Sequence, residues 1–286
     1  MTPARAHDEV TAPWSTSSTG GQWEIGHGTQ RAIVCEVGAT LRAYSAGGRP
    51  VVDGFGDEEW SHGGRGQVLA PWPNRLGDGH YRFGGIEAQA ALDEVERHNA
   101  IHGLVRWLPW RASSWAQNKV CLCCDLHPSP GYPFRLRLGI EYRLGRDGLT
   151  VTAEAENLGQ SDLPFGLGFH PYLTVGTQTV DDVRLRVPAR RRLVTDGRGL
   201  PVGVAGVRDT SFDFTAGRPI GTMRLDTAFC DLERDDDGRA RVTLEGPEPG
   251  RGVTLWLDDR FTHVMVFTGD TLPEEERRRS VAVEPM

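Results

Sequence analysis

Leu149-Thr150-Val151-Thr152-Ala153-Glu154-Ala155-Glu156 alternates apolar and polar side chains directly after Asp147-Gly148. A period of two puts one set of side chains on each face of a strand. Asp-Gly readily takes the positive φ values of a tight hairpin turn. The apolar-rich residues 134–144 just before the turn are the expected partner strand. Outward from this hairpin the same pattern recurs at residues 31–37, 67–70, 81–83, 107–115 and 120–126. It continues at 229–232, 241–244, 252–257, 263–268 and 280–283. A second hairpin is expected across Asp235-Asp236-Asp237-Gly238, joining 229–232 to 241–244. The 36 glycines and 18 prolines supply the turns, and a 3.6-residue apolar period is nearly absent. Only the segments around Asp57-Glu58-Glu59-Trp60 and residues 273–278 read as short helical turns. Many short strands divided by turns predict an all-β, antiparallel sandwich or barrel.

The 286 residues can bury one large core. No composition break marks a linker, so the reading is a flexible N-terminal arm over 1–20 and a single domain over 21–286. The arm is rich in Thr, Ser, Ala and Pro and lacks a signal peptide's apolar centre. No run is apolar enough to cross a bilayer as a helix. A cytoplasmic protein with no membrane partner is therefore expected. The formal charge of −7 argues against nucleic acid as a partner. The short basic runs 190–192 and 277–279 read as solvated loop charge.

Cys121, Cys123 and Cys124 crowd one apolar stretch, but no second ligand pair stands at zinc spacing. They are expected as buried thiols in a reducing compartment, and no metal site is expected. A serine nucleophile elbow is missing, as is a glycine-rich phosphate loop between strand and helix. The Asp235–Gly238 run lacks the downstream glutamate of a calcium loop.

Five stretches combine ionisable or polar groups with stiff neighbours. In Gly166-Leu167-Gly168-Phe169-His170-Pro171-Tyr172, Pro171 biases His170 toward extended backbone, so its imidazole projects in a set direction from a strand end. Imidazole exchanges protons near neutral pH at small cost. A satisfied core histidine is the plainer alternative. Pro71-Trp72-Pro73-Asn74-Arg75 stiffens an amide and a forked donor. Ala100-Ile101-His102-Gly103 presents a second imidazole. Leu225-Asp226-Thr227-Ala228 isolates one carboxylate, and Val281-Ala282-Val283-Glu284-Pro285 another. Burial among apolar groups raises a carboxyl's pKa toward the range of a neutral-pH base, and Glu284 fits that best.

Taken in chain order, these stretches resemble the aldose 1-epimerase (mutarotase) family, from about Gly21 onward. The family's Asn-Arg is matched by Asn74-Arg75, its first His-Gly by His102-Gly103 and its His-Pro-Tyr by His170-Pro171-Tyr172. Its sugar-binding aspartate is matched by Asp226 and its C-terminal glutamate by Glu284. The resemblance implies a large antiparallel β-sandwich of the galactose mutarotase type, with a sugar cleft on one sheet. It implies catalysis by Glu284 and His170 with no cofactor. Asn74, Arg75, His102, Tyr172 and Asp226 are the implied sugar-binding residues. Met265 departs from the pattern, standing where galactose-binding relatives often carry a glutamine, whose hydrogen bonds a thioether cannot make.

The expected chemistry is interconversion of the α and β anomers of a free hexose or related aldose. Two other readings use the same scaffold. One is a non-catalytic sugar-binding protein; the other is a hexose-phosphate 1-epimerase in which Arg106 or Arg82 grips a phosphate. Catalysis is expected to need His170 and Glu284 facing each other across a gap one sugar ring wide. Oligomeric state is not legible.

Overall fold

The structure, a computed structural model, describes residues 17–286. Among them there is no α-helix, only 3₁₀ turns at Val95–Arg97 and Val180–Asp182. The segments expected as helical turns are non-repeating turns. The one at 273–278 closes through Arg277 N–H donating to Pro273 O at 2.8 Å. Every strand pair within the sheets is antiparallel, and together they make a large β-sandwich.

The hairpin that opened the sequence reading is present. Leu136–Gly145 pairs with Gly148–Asn157 along its whole length, and Gly145 faces Gly148 at the turn. These strands share a four-stranded sheet with Arg111–Ala116 and Lys119–Leu126. Val120, Leu122, Cys124 and Leu126 alternate inward and meet Tyr142, Ile140, Leu138 and Leu136 across the register. Each aliphatic side chain buried this way contributes about 1.5–3 kcal/mol over exposure. Cutting Leu138 to Ala would cost about 2–5 kcal/mol. Cys121 and Cys123 point to the other, half-exposed face, so only Cys124 of that trio is a buried thiol.

The second expected hairpin does not form. Asp226–Leu232 belongs to a six-stranded sheet, between His263–Phe267 and Ala189–Thr195. Ala240–Glu245 pairs instead with Gly252–Leu257 in a different sheet. The aspartate-rich turn carries the chain from one sheet to the other.

The arm is expected over 1–20. Residues 1–16 lie outside the described residues, while Thr19 is buried and its carbonyl accepts from Val37 N–H at 3.1 Å.

The six-stranded sheet positions the site. Its order is Tyr172–Leu173, Val281–Pro285, His263–Phe267, Asp226–Leu232, Ala189–Thr195, Pro201–Gly206. Val281, Val283, Val264 and Val266 are fully buried on the core side. Residues one position out of phase with them necessarily face the opposite side.

Candidate active site

Strand register brings the two principal candidates together. Tyr172 stands opposite Ala282, and Val283 N–H donates to Pro171 O at 3.1 Å. Continuing the antiparallel count places His170 opposite Glu284, although 114 residues separate them in sequence. The same count on the next strand pairs Met265 with Glu284 and Phe267 with Ala282. Asp226 pairs with Phe267 one strand further on. His170, Tyr172, Glu284, Met265, Phe267 and Asp226 line one cleft of about 580 Å³, which also takes in Asn74, Arg75 and His102. Every residue expected at the site is therefore in the cleft wall.

The expected spacing of the pair is corrected. His170 Nε2 lies 3.3 Å from Glu284 Oε1, so the groups are side by side on one wall and not opposed across a ring-wide gap. Cross-strand neighbours on one face stand about 4.5–5.5 Å apart at Cβ, and that brings the side chains into contact. Glu284 also lies inside the strand, which runs on to Pro285.

Both groups are nearly dry, with His170 5% and Glu284 2% exposed. Burial pushes the Glu284 carboxyl up to about 8; the negative charge of Asp226 adds to the effect and Arg75 opposes it. Burial holds the His170 imidazole down at about 3, and the positive charges of Arg65 and Arg106 act in the same direction. Near neutral pH these opposite shifts leave the pair one proton and favour it on the carboxyl. Glu284 Oε2 is buried and has no hydrogen-bond partner among the described residues.

The remaining candidates come from two backbone kinks locked together. Asn74 (φ +56°) and His102 (φ +64°) are both left-handed. His102 N–H donates to Asn74 O at 2.9 Å, and Asn74 N–H donates to His102 Nδ1 at 3.3 Å. That bond makes Nδ1 the acceptor and leaves the neutral ring's proton on Nε2. Burial, then the charges of His170, Arg106 and Arg75, keep His102 well below the usual histidine range. Its ring meets His170 edge-on at 5.4 Å.

Arg75 is held in a fork by Glu94: Nε donates at 2.9 and 3.1 Å, and Nη2 at 3.0 Å. Its Nη1 approaches Asn74 Oδ1 at 3.4 Å. Asp226 is the exposed member of the set, at the edge of the cleft.

The Tyr172 hydroxyl donates to Gly63 O at 2.8 Å, while its ring stacks on His170 at 5.1 Å with 19° between planes. It is thus a floor under the imidazole.

Three supports of the site escaped the sequence reading. Glu94 orients Arg75. Arg65, 1% exposed, places its guanidinium 4.4 Å from the centre of the Tyr172 ring and is paired with Glu276 at 2.7 Å. Gly64 packs directly on the imidazole, where a Cβ would lie 2.7 Å from His170 Cδ2. The Gly63-Gly64 pair was the available sequence signal, because paired glycines mark positive φ or close approach. Nothing local marks Glu94 or Arg65, whose partners lie 19 and 211 residues away.

The chain is thus a β-sandwich that gathers a buried imidazole–carboxyl pair and several hydrogen-bond donors around one cleft. Comparison with known proteins is more specific. The family model described as aldose 1-epimerase matches residues 21–286, and the chain belongs to that family. The protein YihR of Escherichia coli, itself uncharacterised, is 33% identical over 260 residues, covering 91% of this chain and 81% of that one. A GalM/aldose epimerase homologue from C. elegans superposes with a TM-score of 0.81 at 19% identity, over 93% of this chain and 89% of the other. Galactose 1-epimerase from Lactobacillus acidophilus gives 0.78 at 20% identity, over 95% and 88%. These two solved structures share the fold.

Proposed function

We propose that this protein is a cofactor-independent aldose 1-epimerase that interconverts the α and β anomers of a free hexose or related aldose in the cytoplasm. Glu284, as carboxylate, takes the proton of the anomeric hydroxyl while the His170 imidazolium gives one to the ring oxygen. The bond from C1 to the ring oxygen breaks, and the anomeric oxygen becomes the aldehyde carbonyl. Rotation about C1–C2 presents the other face, and reversing both transfers closes the ring.

The observation that carries this reading is the direct contact of His170 and Glu284. The two oxygens they serve are bonded to the same carbon, so a side-by-side acid and base match a hemiacetal. Carboxyl protonated and imidazole neutral, the arrangement that burial favours, is also the one left after ring opening. Opening a cyclic sugar requires that proton on His170, and the 3.3 Å contact offers the route. Arg75 lowers the cost by favouring the Glu284 carboxylate. Arg75 and His102 Nε2–H donate to sugar oxygens, where fixed donors in a dry site act strongly on developing charge. Asn74 and Asp226 hold hydroxyls.

A phosphosugar substrate is less well supported. Arg82 pairs with Glu87 away from the cleft lining, and Arg106, which does line it, is held by Asp93 at 2.6 Å. A neutral aldose is the better fit. The test is polarimetry or saturation-transfer NMR on a panel of free sugars. Glu284→Gln and His170→Asn are each expected to slow anomer exchange by about 10²–10⁴-fold while sugar still binds. Wild-type protein that binds sugar without accelerating exchange would instead establish a binding module.

A further inference from the structure

Two large indoles stand in the cleft wall without a role in the mechanism above. Trp60 is 66% exposed and Trp107 49% exposed, and both line the same cleft as His170 and Glu284. Indoles this exposed, on a cleft wall that also carries Ile101, Met265, Phe267 and Leu272, ask for an occupant. Each is joined along the chain to a residue that acts on the imidazole. Trp60 lies four residues before Gly64, which packs on the His170 ring. Trp107 follows Arg106, whose guanidinium lies 5.3 Å from the indole centre and whose charge acts on both His170 and His102.

The cleft is also larger than a hexose. Even at the roughly 30 Å³ that liquid water allots each molecule, the about twelve heavy atoms of a hexose fill less than about 360 Å³. The cleft offers about 580 Å³.

We infer that Trp60 and Trp107 form a subsite for a second pyranose ring, so that the substrate class includes reducing disaccharides extended at O6. This rests on the mutarotase reading, which puts the ring oxygen on His170. In a pyranose the ring oxygen joins C1 to C5, and C5 bears C6, so a sugar seated that way directs O6 toward the imidazole end. The C–H face of a pyranose is apolar and packs against the electron-rich face of an indole. Arg97, also in the cleft wall and partly exposed, supplies a donor for the second ring's hydroxyls.

The experiment compares anomer exchange of glucose with that of gentiobiose, its (1→6)-linked disaccharide. Wild type is compared with Trp60→Ala and Trp107→Ala, and galactose with 6-O-galactosylgalactose serves if galactose is the hexose accelerated. The ratio of disaccharide KM to hexose KM is expected to rise about fivefold in each variant, with kcat for the disaccharide unchanged, in line with the strength of one aromatic contact. Equal ratios in wild type and both variants overturn the subsite. So does a change only in self-association, which makes the indoles a contact between copies. If no sugar is accelerated, the mutarotase reading fails separately. In that case gentiobiose quenching of tryptophan fluorescence, lost in the two variants, still supports the subsite, and quenching unaltered by them overturns it.

Discussion

Gly64→Ala tests whether the position of the imidazole, and not only its presence, sets the rate. An added Cβ would lie 2.7 Å from His170 Cδ2 and 2.9 Å from Nε2, against an ordinary contact of at least 3.4 Å. The ring would have to retreat by about 3.4 − 2.7 = 0.7 Å. It is bounded by the stacked Tyr172 ring and the edge of His102, so the retreat disturbs the 3.3 Å contact with Glu284. Misplacement of a reacting group by about 1 Å can cost about 10²-fold, so kcat is expected to fall by about 10–10²-fold. Gly64 also has φ +79°, where a non-glycine residue costs about 1–2 kcal/mol. Gly28→Ala is the control: φ is +58°, and no atom lies within 4 Å of its Cβ position. Both variants are expected to lose a few degrees of Tm, and only Gly64→Ala to lose turnover, measured as anomer exchange by saturation-transfer NMR. Equal kcat in the two would refute the argument from ring position.

The one-proton pair predicts a pH profile with two limbs. After subtraction of the uncatalysed reaction, kcat/KM falls as pH rises through about 8, where the pair loses its proton, and toward about 3, where it gains a second. A flat profile from pH 7 to 9.5 would count against it. The raised Glu284 pKa also has a stability consequence. The native state keeps a proton on Glu284 that the unfolded chain loses near 4.5, while its His170 lacks one that the unfolded chain keeps up to about 6.5; the two offset between those values, and stability declines as pH rises from about 6.5 to about 8. Melting curves of Glu284→Gln should show a shallower decline over that window. Glu94→Gln weakens the fork on Arg75 and is expected to cost about tenfold in kcat/KM with little change in the pH limbs. Arg65→Lys keeps a charge beside Glu276 but loses the flat face stacked on Tyr172. A fall in kcat with KM nearly unchanged is expected, and KM rising instead would show that Arg65 acts on binding.

The sheet-forming character of the chain was legible because period-two alternation and turn residues are local signals. The Gly145–Gly148 hairpin shows this well. The false hairpin across residues 235–238 shows the limit, since two strands and a good turn cannot reveal that the chain is changing sheets. At the site, His170, Glu284, Asn74, Arg75 and His102 stood out because each is a polar group next to proline, glycine or an apolar run. Their mutual distance did not, because it depends on the pairing of Tyr172 with Ala282. The use of Tyr172 as a floor depends on Gly63 accepting its hydroxyl, a contact 109 residues distant that no pattern announces.

Val281–Pro285 is wedged between Tyr172–Leu173 on one side and His263–Phe267 on the other. Its docking both completes the six-stranded sheet and creates the reactive pair. Any local opening that frees this segment separates Glu284 from His170 before the rest of the sandwich melts. Turnover is then a sensor of one strand's seating, and it should fade under mild denaturant ahead of bulk spectroscopic signals.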